Sequence, residues 1–567
     1  MATPTVTNAR IAALLREYAD LLELRGESPF RTAAYRRGAD AIARLEQPAT
    51  ALTAEELQHV EGIGKGLSAV VVEIGRRGTF GPLDELRAVM PSSVIRFTAI
   101  PGVGVKTAAR LYETLGVATF DELRAAAEAG QIRAAKGLGA RVERTITEGL
   151  AELAARDDRH PLGLALPLGL LLQRLLAAVA PAHTAIALAG SVRRRVDAVN
   201  DINLLAAAAD PAPLLDAFAT LPPVLDTRER AGAELTVTLD GDLPVRLVVV
   251  PPARFGGELV YWTGSVAHLA ALRDLAAERG SADPFAASFA DEDGFYAALG
   301  LPVIPPELRE GRGEVVAART GALPDLIEPA DLRGDLHAHS TWSDGGSTIE
   351  EMARAAIARG YAYLSVSDHT QSLGVANGLD EQRIRAQWRE IDRLNAELAP
   401  FRLLKSAEVE IRKDGTLDLP DAVLAELDLV VASLHTGLRG DRATVTNRLL
   451  RAIHNPHVDI IAHASGRIVG GRAGADYDWN AVFAAAAETR TALEINASPE
   501  RLDLNDVHAR QALDAGIVLT IDSDAHATGG LDGITYGVAV ARRAWATARD
   551  VLNTRPLDDL LAWARER

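Results

Sequence analysis

Residues 334–345 have the sequence GDLHAHSTWSDG, and this stretch decides the fold of the last third of the chain. A short apolar run leads into two histidines, His337 and His339, which are two positions apart. On an extended strand this spacing puts both imidazoles on the same face. Asp344 follows in a Ser-Asp-Gly turn. The stretch therefore predicts a strand that presents metal-binding side chains at its carboxyl end.

Six later runs repeat this pattern of a short apolar segment that ends in His, Asp or Glu. They are AYLSVSDH (362–369), LLKSAEVEI (403–411), LVVASLH (429–435), DIIAHASGR (459–467), ALEINAS (492–498) and VLTIDSDAH (518–526). Helical patterns separate the runs, which is typical of repeated βα units. A lone histidine at a strand end is more often structural than metal-binding. In a parallel barrel, however, the carboxyl ends of the strands converge on one face. We therefore predict a metal site there, built from His337, His339, Asp344, His369, Glu408, His435, His463, Asp524 and His526.

The motifs HAHSTWSDG, SDHT, AEVEI, SLHT, HASGR and SDAH resemble those of the PHP (polymerase and histidinol phosphatase) superfamily, over nearly all of 333–567. The resemblance implies a distorted (β/α)7 barrel with three divalent metals, and zinc and manganese both suit such ligands. It assigns His337, His339, Glu408 and Asp524 to the first metal. Glu408 would bridge to a second metal held by His435 and His463, and the third would be held by Asp344, His369 and His526.

This ligand set predicts phosphoester chemistry. A cluster of divalent cations lowers the pKa of a bound water toward ~7 and stabilises the charge that builds on phosphoryl oxygens. The chain has no cysteine, so nitrogen and oxygen must supply every ligand. Arg467, four residues after His463, is a candidate to bind a phosphate group through its guanidinium. The alternative is that Arg467 is a solvated charge on a loop.

Composition sets broader bounds on the 567 residues. This length predicts several domains. The net charge of −17 is uneven, because residues 1–150 carry 19 Lys/Arg against 18 Asp/Glu. DNA binding by the N-terminal part is therefore permitted. No apolar run reaches the roughly 18 residues of a membrane span, since Gly163, Pro167 and Gly169 interrupt the stretch 162–176. The start, MATPTVTNAR, lacks a secretory pattern, and we predict a cytoplasmic monomer.

Two N-terminal segments resemble helix-hairpin-helix elements. VEGIGKGLSAVVVEI (60–74) and IPGVGVKTAARLYETL (100–115) each place two glycines, separated by one residue, before an amphipathic helix. Glycines there allow a tight turn that presents backbone N–H groups to a DNA phosphate without contact to bases. The alternative is a simple turn between helices. The predicted DNA-binding residues are Gly62, Gly64, Gly66, Gly102, Gly104 and Lys106.

The middle of the chain has short apolar runs, IALAGSV, INLLAAA, LTVTL and VRLVVVPP, that predict an antiparallel α+β unit. The segments 189–205, 248–268 and 299–315 resemble a bacterial family X DNA polymerase, whose nucleotidyltransferase palm is joined to a C-terminal PHP domain. By that resemblance, Gly190, Ser191 and Arg194 contact a triphosphate. Tyr261, Trp262, Thr263 and Gly264 match the segment that senses the sugar. The implied partners are gapped, nicked or 3′-ended DNA and a dNTP.

The departures from this pattern concern the polymerase metals. Polymerisation needs two cations, Mg²⁺ or Mn²⁺, held by three carboxylates, two of them as Asp-x-Asp on one strand. Here the strand has Asp201-Ile202-Asn203, and Arg246 occupies the position of the third carboxylate. Asn is a poorer ligand for a hard cation, and a guanidinium repels it. We therefore predict that Asp201 is a vestige and that DNA synthesis is absent or very weak.

The domains expected from these patterns are a helical domain at 1–85, a fingers-like helical domain at 86–165, a palm at 166–255, a thumb at 256–311, a linker at 312–332 and the PHP barrel at 333–567. Three functions fit this order. The first is a DNA-repair phosphoesterase that removes nucleotides or blocks from 3′ ends, as a 3′–5′ exonuclease does, or cleaves at abasic sites. The second is a gap-filling polymerase with a proofreading barrel, and the third is a small-molecule phosphatase of the histidinol-phosphate type.

Overall fold

The computed structural model describes residues 6–154 and 159–566, so the first half of the stretch MATPTVTNAR lies outside the described residues. The N-terminal part is helical. Its first helix begins after Thr7, whose hydroxyl accepts the N–H of Arg10, and Tyr18 on that helix packs edge-to-face against Tyr35 and Phe80. The helices are Asn8–Leu24, Pro29–Ala43, Ala54–Leu57, Lys65–Arg77, Gly81–Arg87, Val105–Leu115, Phe120–Glu128, Gln131–Ala134 and Ala140–Ala154.

The middle of the chain forms a five-stranded sheet and a separate pair of strands. The strands are β1 (His160–Pro161), β2 (Ile186–Ala189), β3 (Ala198–Val199), β4 (Ile202–Ala207), β5 (Asp226–Ala231), β6 (Glu234–Thr238) and β7 (Pro244–Val250). The sheet order is β2-β4-β7-β6-β5, and β1 pairs separately with β3. The prediction of an antiparallel unit is wrong for one pair of strands. β4 and β7 run parallel, whereas β5-β6 and β6-β7 are antiparallel.

The apolar stretch near 162–176 is not interrupted as expected. It forms one helix, Leu162–Val179, with Pro167 inside it. Gly169 lets the helix approach the sheet closely, because a Cβ there would lie 2.8 Å from Leu188. Among the described residues, this is the one helix that is long and apolar enough to cross a membrane. The core helix of a soluble protein can have the same length and composition. Leu172 and Leu176 on one face of the helix are fully buried, whereas Leu164, Leu170 and Val179 are exposed.

The segment expected to be a linker is folded. It contains the helix Glu314–Thr320, and Glu314 is fully buried against His268. This packing excludes a flexible connection at this point. The further helices of the middle region are Gly190–Arg193, Ala212–Ala219, Phe255–Thr263, Val266–Glu278 and Glu292–Ala298.

The C-terminal part is a parallel seven-stranded barrel, as expected. Its strands are β8 (Gly334–Asp335), β9 (Tyr363–Val366), β10 (Arg402–Glu410), β11 (Leu429–Ser433), β12 (Ile460–Ile461), β13 (Ala492–Asn496) and β14 (Leu519–Asp522), in that spatial order. A parallel bridge between Ala338 and Ala525 brings the two ends of the sheet together. The outer helices are Ile349–Ala358, Glu381–Leu398, Asp421–Leu424, Arg442–Ile453, Trp479–Thr489, Asp506–Asp514, Ile534–Arg543 and Leu557–Arg565.

The chain divides into two compact units. One comprises residues 1–158, 167–188 and 200–255, and the other comprises 159–166, 189–199 and 256–567. The finer domain boundaries expected from the sequence stay predictions.

Candidate metal centre

The barrel closure places two similar motifs side by side. The N–H of His339 donates to the carbonyl of Ala525 over 2.9 Å, and the N–H of Asp524 donates to the carbonyl of His337 over 3.0 Å. His-Ala-His and Asp-Ala-His therefore run in parallel at the carboxyl ends of β8 and β14. Asp524 adopts a φ of +53°, an uncommon backbone for a residue with a side chain. Such conformations concentrate at functional sites.

Glu408, near the end of β10, is the centre of the cluster. Its Oε1 lies 2.8 Å from Nε2 of His463 and 3.3 Å from Nε2 of His435. Its Oε2 lies 2.7 Å from Nδ1 of His369 and 3.5 Å from Nε2 of His337. Nε2 of His339 lies 3.6 Å from the same Oε2. One carboxylate thus faces imidazoles that come from four different strands.

The structure brings all nine predicted residues together, in four overlapping groups that could hold a metal ion. These are His337/His339/Asp524, His337/Glu408/His463, His369/Glu408/His435 and His339/Asp344/His369/His526. The groups differ from the predicted division into three sets, because His435 and His463 fall into separate groups. Both nonetheless approach the same oxygen of Glu408.

Two carboxylates that the sequence reasoning left unassigned orient the histidines. Glu494 on β13 accepts from Nδ1 of His337 over 2.6 Å, and Glu410 accepts from Nδ1 of His435 over 2.7 Å. A carboxylate on the far nitrogen fixes the tautomer and leaves Nε2 free to bind a metal. Glu410 is two residues after Glu408 on the same strand, so both side chains lie on the same face. This spacing was the one feature of the sequence that could have predicted the role of Glu410.

The electrostatics of the cluster are those of a cation site. Burial alone would lower the pKa of His337, but Glu494, Glu408 and Asp524 raise it well above its usual range. Burial opposes ionisation of Asp344, yet hydrogen bonding to His526 and the charges of nearby histidines lower its pKa to about 2. Burial and the charge of Arg501 lower the pKa of His463 to about 3. Burial likewise opposes ionisation of Glu408 and Asp524, but the charges of the surrounding histidines lower the pKa of both carboxyl groups well below the usual range. These three acids therefore stay ionised and attract positive charge.

Two features fit metal ions in this site. Within the described residues, the buried Oε2 of Glu408 has no hydrogen-bond partner, although imidazole nitrogens surround it. The Nε2 atoms of His337 and His339 lie 3.2 Å apart, an arrangement that a shared cation stabilises. The donors are nitrogen and oxygen, as zinc and manganese sites use. A cavity of about 450 Å³ opens onto seven of the nine residues.

Arg467 is not placed as expected. Its Nε and Nη2 donate to the carbonyls of Arg501 and Leu502 over 2.9 and 2.5 Å, and its Nη1 donates to Asp197 over 2.7 Å. It therefore holds a loop instead of facing the cavity. Arg501 lines the cavity, with its Nε 3.7 Å from Oδ2 of Asp524. Sequence spacing gave no signal for Arg501, because it follows β13 by five residues in an irregular loop.

The two hairpin motifs have the expected local geometry. Gly62 and Gly102 have φ of +93° and +84°, values that favour glycine. Gly64 and Gly104 are the N-caps of the helices Lys65–Arg77 and Val105–Leu115. Gly66 and Lys106 lie in the first turns of those helices, where free backbone N–H groups suit an anion.

The palm strands place the substituted residues next to each other. Asn203 on β4 is in register with Arg246 on β7, and its Nδ2 donates to Asp201 over 2.9 Å. Burial raises the pKa of Asp201, against the effects of Asn203 and the Arg246 charge. Asp240 and Asp242 lie in an exposed turn, so neither replaces the missing carboxylate.

The predicted triphosphate-binding segment has its cations paired. Arg194 donates to Glu310 over 2.9 Å and to the carbonyl of Thr263 over 2.7 Å. Gly190 has a φ of +66° and begins a short helix with Ser191. In the predicted sugar-sensing segment, Tyr261 is partly exposed, and a Cβ on Gly264 would lie 2.9 Å from His268.

Glu292 holds this region together, and its replacement by glutamine is expected to destabilise it by about 3 kcal/mol at pH 7. It pairs with the fully buried Arg309 over 2.6 Å and with Arg193 over 2.7 Å. Burial opposes its ionisation, but Arg193 and Arg309 lower its pKa to about 2. Its stabilisation is therefore complete above the usual pKa near 4.5 and is lost as the pH falls toward 2.

Thermal unfolding at pH 7, 4.5 and 3 measures this effect. The difference between wild type and Glu292→Gln should shrink with falling pH, whereas the exposed Glu278→Gln serves as a control with little effect at any pH. A difference that is constant with pH would contradict the role assigned to Glu292.

Comparison with known proteins agrees with this arrangement of parts. Residues 6–80 match a helix-hairpin-helix domain, and residues 94–152 match a SAM-like helix-hairpin-helix tandem. A DNA polymerase/3′-5′ exonuclease PolX of Bacillus subtilis (strain 168) is 37% identical over 98% of this chain and 99% of its own length.

The barrel also has smaller relatives. A protein of Thermoanaerobacter sp. (strain X514) described as a probable phosphatase is 31% identical over 39% of this chain and 89% of its own length. A probable phosphatase of Shewanella sediminis is 30% identical over 41% of this chain and 94% of its own length. Since the Bacillus relative is matched from end to end, the whole arrangement is shared and not the barrel alone. The chain belongs to the PolX family, the bacterial family X DNA polymerases that carry a C-terminal PHP domain.

Proposed function

We propose that this chain is a DNA-repair enzyme whose barrel is a metal-dependent phosphoesterase. It removes nucleotides or blocking groups from 3′ ends, or cleaves at abasic sites, and its polymerase site is inactive. One observation carries the proposal: the nine-residue cluster is complete, while the palm keeps only Asp201 of the three carboxylates that polymerisation needs.

In this proposal the nine cluster residues hold divalent ions, about three in number, as Zn²⁺ or Mn²⁺. Bound ions supply a water of lowered pKa and stabilise charge on the phosphoryl oxygens. The chain's own contribution is orientation, since Glu494 and Glu410 fix the rings of His337 and His435. Arg501 replaces Arg467 as the group that contacts the substrate phosphate.

DNA is the substrate that the N-terminal part supports. The helix-hairpin-helix matches and the helix N-termini at Gly64 and Gly104 favour contacts to backbone phosphates. The Bacillus relative is named a DNA polymerase/3′-5′ exonuclease. A dNTP at Arg194 would have to displace Glu310.

The test is the substrate choice of the purified protein. With Mn²⁺ it should shorten a 3′-labelled DNA strand and leave sugar and amino-alcohol phosphates intact. The phosphatase names of the barrel relatives favour the alternative of a small-molecule phosphatase. Hydrolysis of those small phosphates without an effect on DNA would establish that alternative and refute the nuclease.

Replacing Arg501 with alanine is expected to lower the rate of DNA cleavage about 100-fold, because one charge-stabilising donor is lost. The metal content should stay at the wild-type level, since Arg501 is not among the nine residues. Arg354→Ala is a matched control, as Arg354 is exposed on an outer helix of the barrel and pairs with Glu350. Cleavage by Arg501→Ala at the wild-type rate would remove this residue from the site.

A further inference from the structure

A second cavity lies at the opposite end of the barrel from the metal cluster. It has a volume of about 640 Å³ and lies at the amino ends of β8 and β9, where Arg333 and Ala362 precede the strands. Two further arginines, Arg549 and Arg555, complete the basic lining of the cavity. They lie in the short turns that follow the helix Ile534–Arg543. Three guanidinium-bearing residues thus converge on one open pocket.

The backbone that carries these arginines is firmly held. The N–H of Arg333 donates to the carbonyl of Asn553 over 2.9 Å, and its carbonyl accepts from Ala362 over 2.6 Å. The hydroxyl of the buried Tyr363 donates to the carbonyl of Arg555 over 3.0 Å. Thr554 donates to the carbonyl of Ala548 over 2.6 Å, which ties the turn of Arg549 to that of Arg555. The pocket therefore exists before any ligand enters.

The charge of the pocket is unbalanced. Within the described part of the chain, none of the three guanidinium groups forms an ion pair, whereas most other barrel arginines do. The one acid that lines the pocket is Asp331. Its Oδ2 already accepts the N–H of Glu328 over 2.8 Å at the cap of a short turn. Three cations and one acid leave an excess of positive charge in a concave site, which concentrates anions.

We propose that this pocket binds a phosphate group of a nucleotide or of a DNA strand. A guanidinium group donates two parallel N–H bonds to phosphate oxygens. Several guanidinium groups held in fixed positions favour a phosphate, which has more acceptor oxygens than a single carboxylate. The pocket shares no residue with the metal cluster, so the phosphate group bound there is not the one being cleaved. A free nucleotide and a backbone phosphate offer the same chemistry, and the experiment separates them.

The experiment titrates the metal-loaded protein, by calorimetry at low salt, with inorganic phosphate, with 5′-dAMP and with a single-stranded oligonucleotide whose phosphorothioate linkages resist cleavage. The double variant Arg333→Gln/Arg555→Gln should lose one binding site or bind about 100-fold more weakly, at about tenfold for each lost charge-assisted pair. The probe that shows this loss identifies the source of the phosphate. Sites at the metal cluster are unaffected and remain as an internal reference.

Two further variants keep the result interpretable. Arg549→Gln changes an exposed side chain, so it tests the pocket without a risk to folding and should weaken binding about tenfold. Arg389→Gln, at an exposed position on an outer helix of the barrel, should bind as wild type does. Equal stoichiometry and affinity of wild type, Arg549→Gln and the double variant for all three probes would overturn the proposal.

Discussion

Replacing His339 with alanine is expected to abolish the metal-dependent shortening of a 3′-labelled DNA strand. Its Nε2 lies 3.1 Å from Oδ1 of Asp524 and 3.2 Å from Nε2 of His337, and its ring stacks on those of His369 and His526. It belongs to two of the four candidate metal groups. The loss of a residue that merely orients a ligand costs about 10- to 100-fold, so the loss of His339 itself should cost more than about 100-fold.

The measurement combines cleavage with metal analysis. His339→Ala should bind fewer equivalents of metal than wild type, and added Mn²⁺ should not restore the rate. His454→Ala is the matched control, because His454 is an exposed residue at a helix end, outside the cluster. If His339→Ala and wild type shorten the strand at the same rate, the barrel is not the nuclease.

Much of this site could be predicted from the sequence because strand ends in a parallel barrel converge. The positions of His337, His369 and His463 after short apolar runs were enough to bring them together. Arg467 and Arg501 could not be told apart in this way. Both lie in loops, where direction depends on tertiary contacts, and Arg467 turns toward Asp197, which is 270 residues away along the chain.

The middle of the chain shows where local patterns fail. Pro167 and Gly169 predicted an interruption, but a helix continues through both, since packing on Leu188 and Ile202 compensates for poor helix propensity. The parallel pairing of β4 and β7 could not be inferred either, because alternation within a strand does not give the direction of its neighbour. The facing positions of Asn203 and Arg246 follow from that pairing.

The palm is expected to incorporate no nucleotide on a gapped template, with Mg²⁺ or with Mn²⁺. Asp201 is the only acid of the expected trio, and its carboxylate is engaged by the amide of Asn203. Arg246 sits in register beside Asn203, so a cation that approached Asp201 would meet a guanidinium at the position of its third ligand. Asp201→Ala should therefore change nothing that a primer-extension assay detects. Incorporation that disappears in Asp201→Ala would contradict this expectation and make the chain a working polymerase.

Restoring the carboxylates tests the reason for the inactivity. Asn203→Asp alone should bind Mg²⁺ poorly, because Arg246 then pairs with the new acid instead of leaving it to a metal. Asn203→Asp with Arg246→Asp recreates three acids on two adjacent strands and should bind Mg²⁺ measurably by calorimetry. If that double variant also extends a primer, the loss of activity resides in these two positions. If it binds metal but does not extend, the pairing of Arg194 with Glu310 becomes the next obstacle, because the triphosphate then lacks its cation.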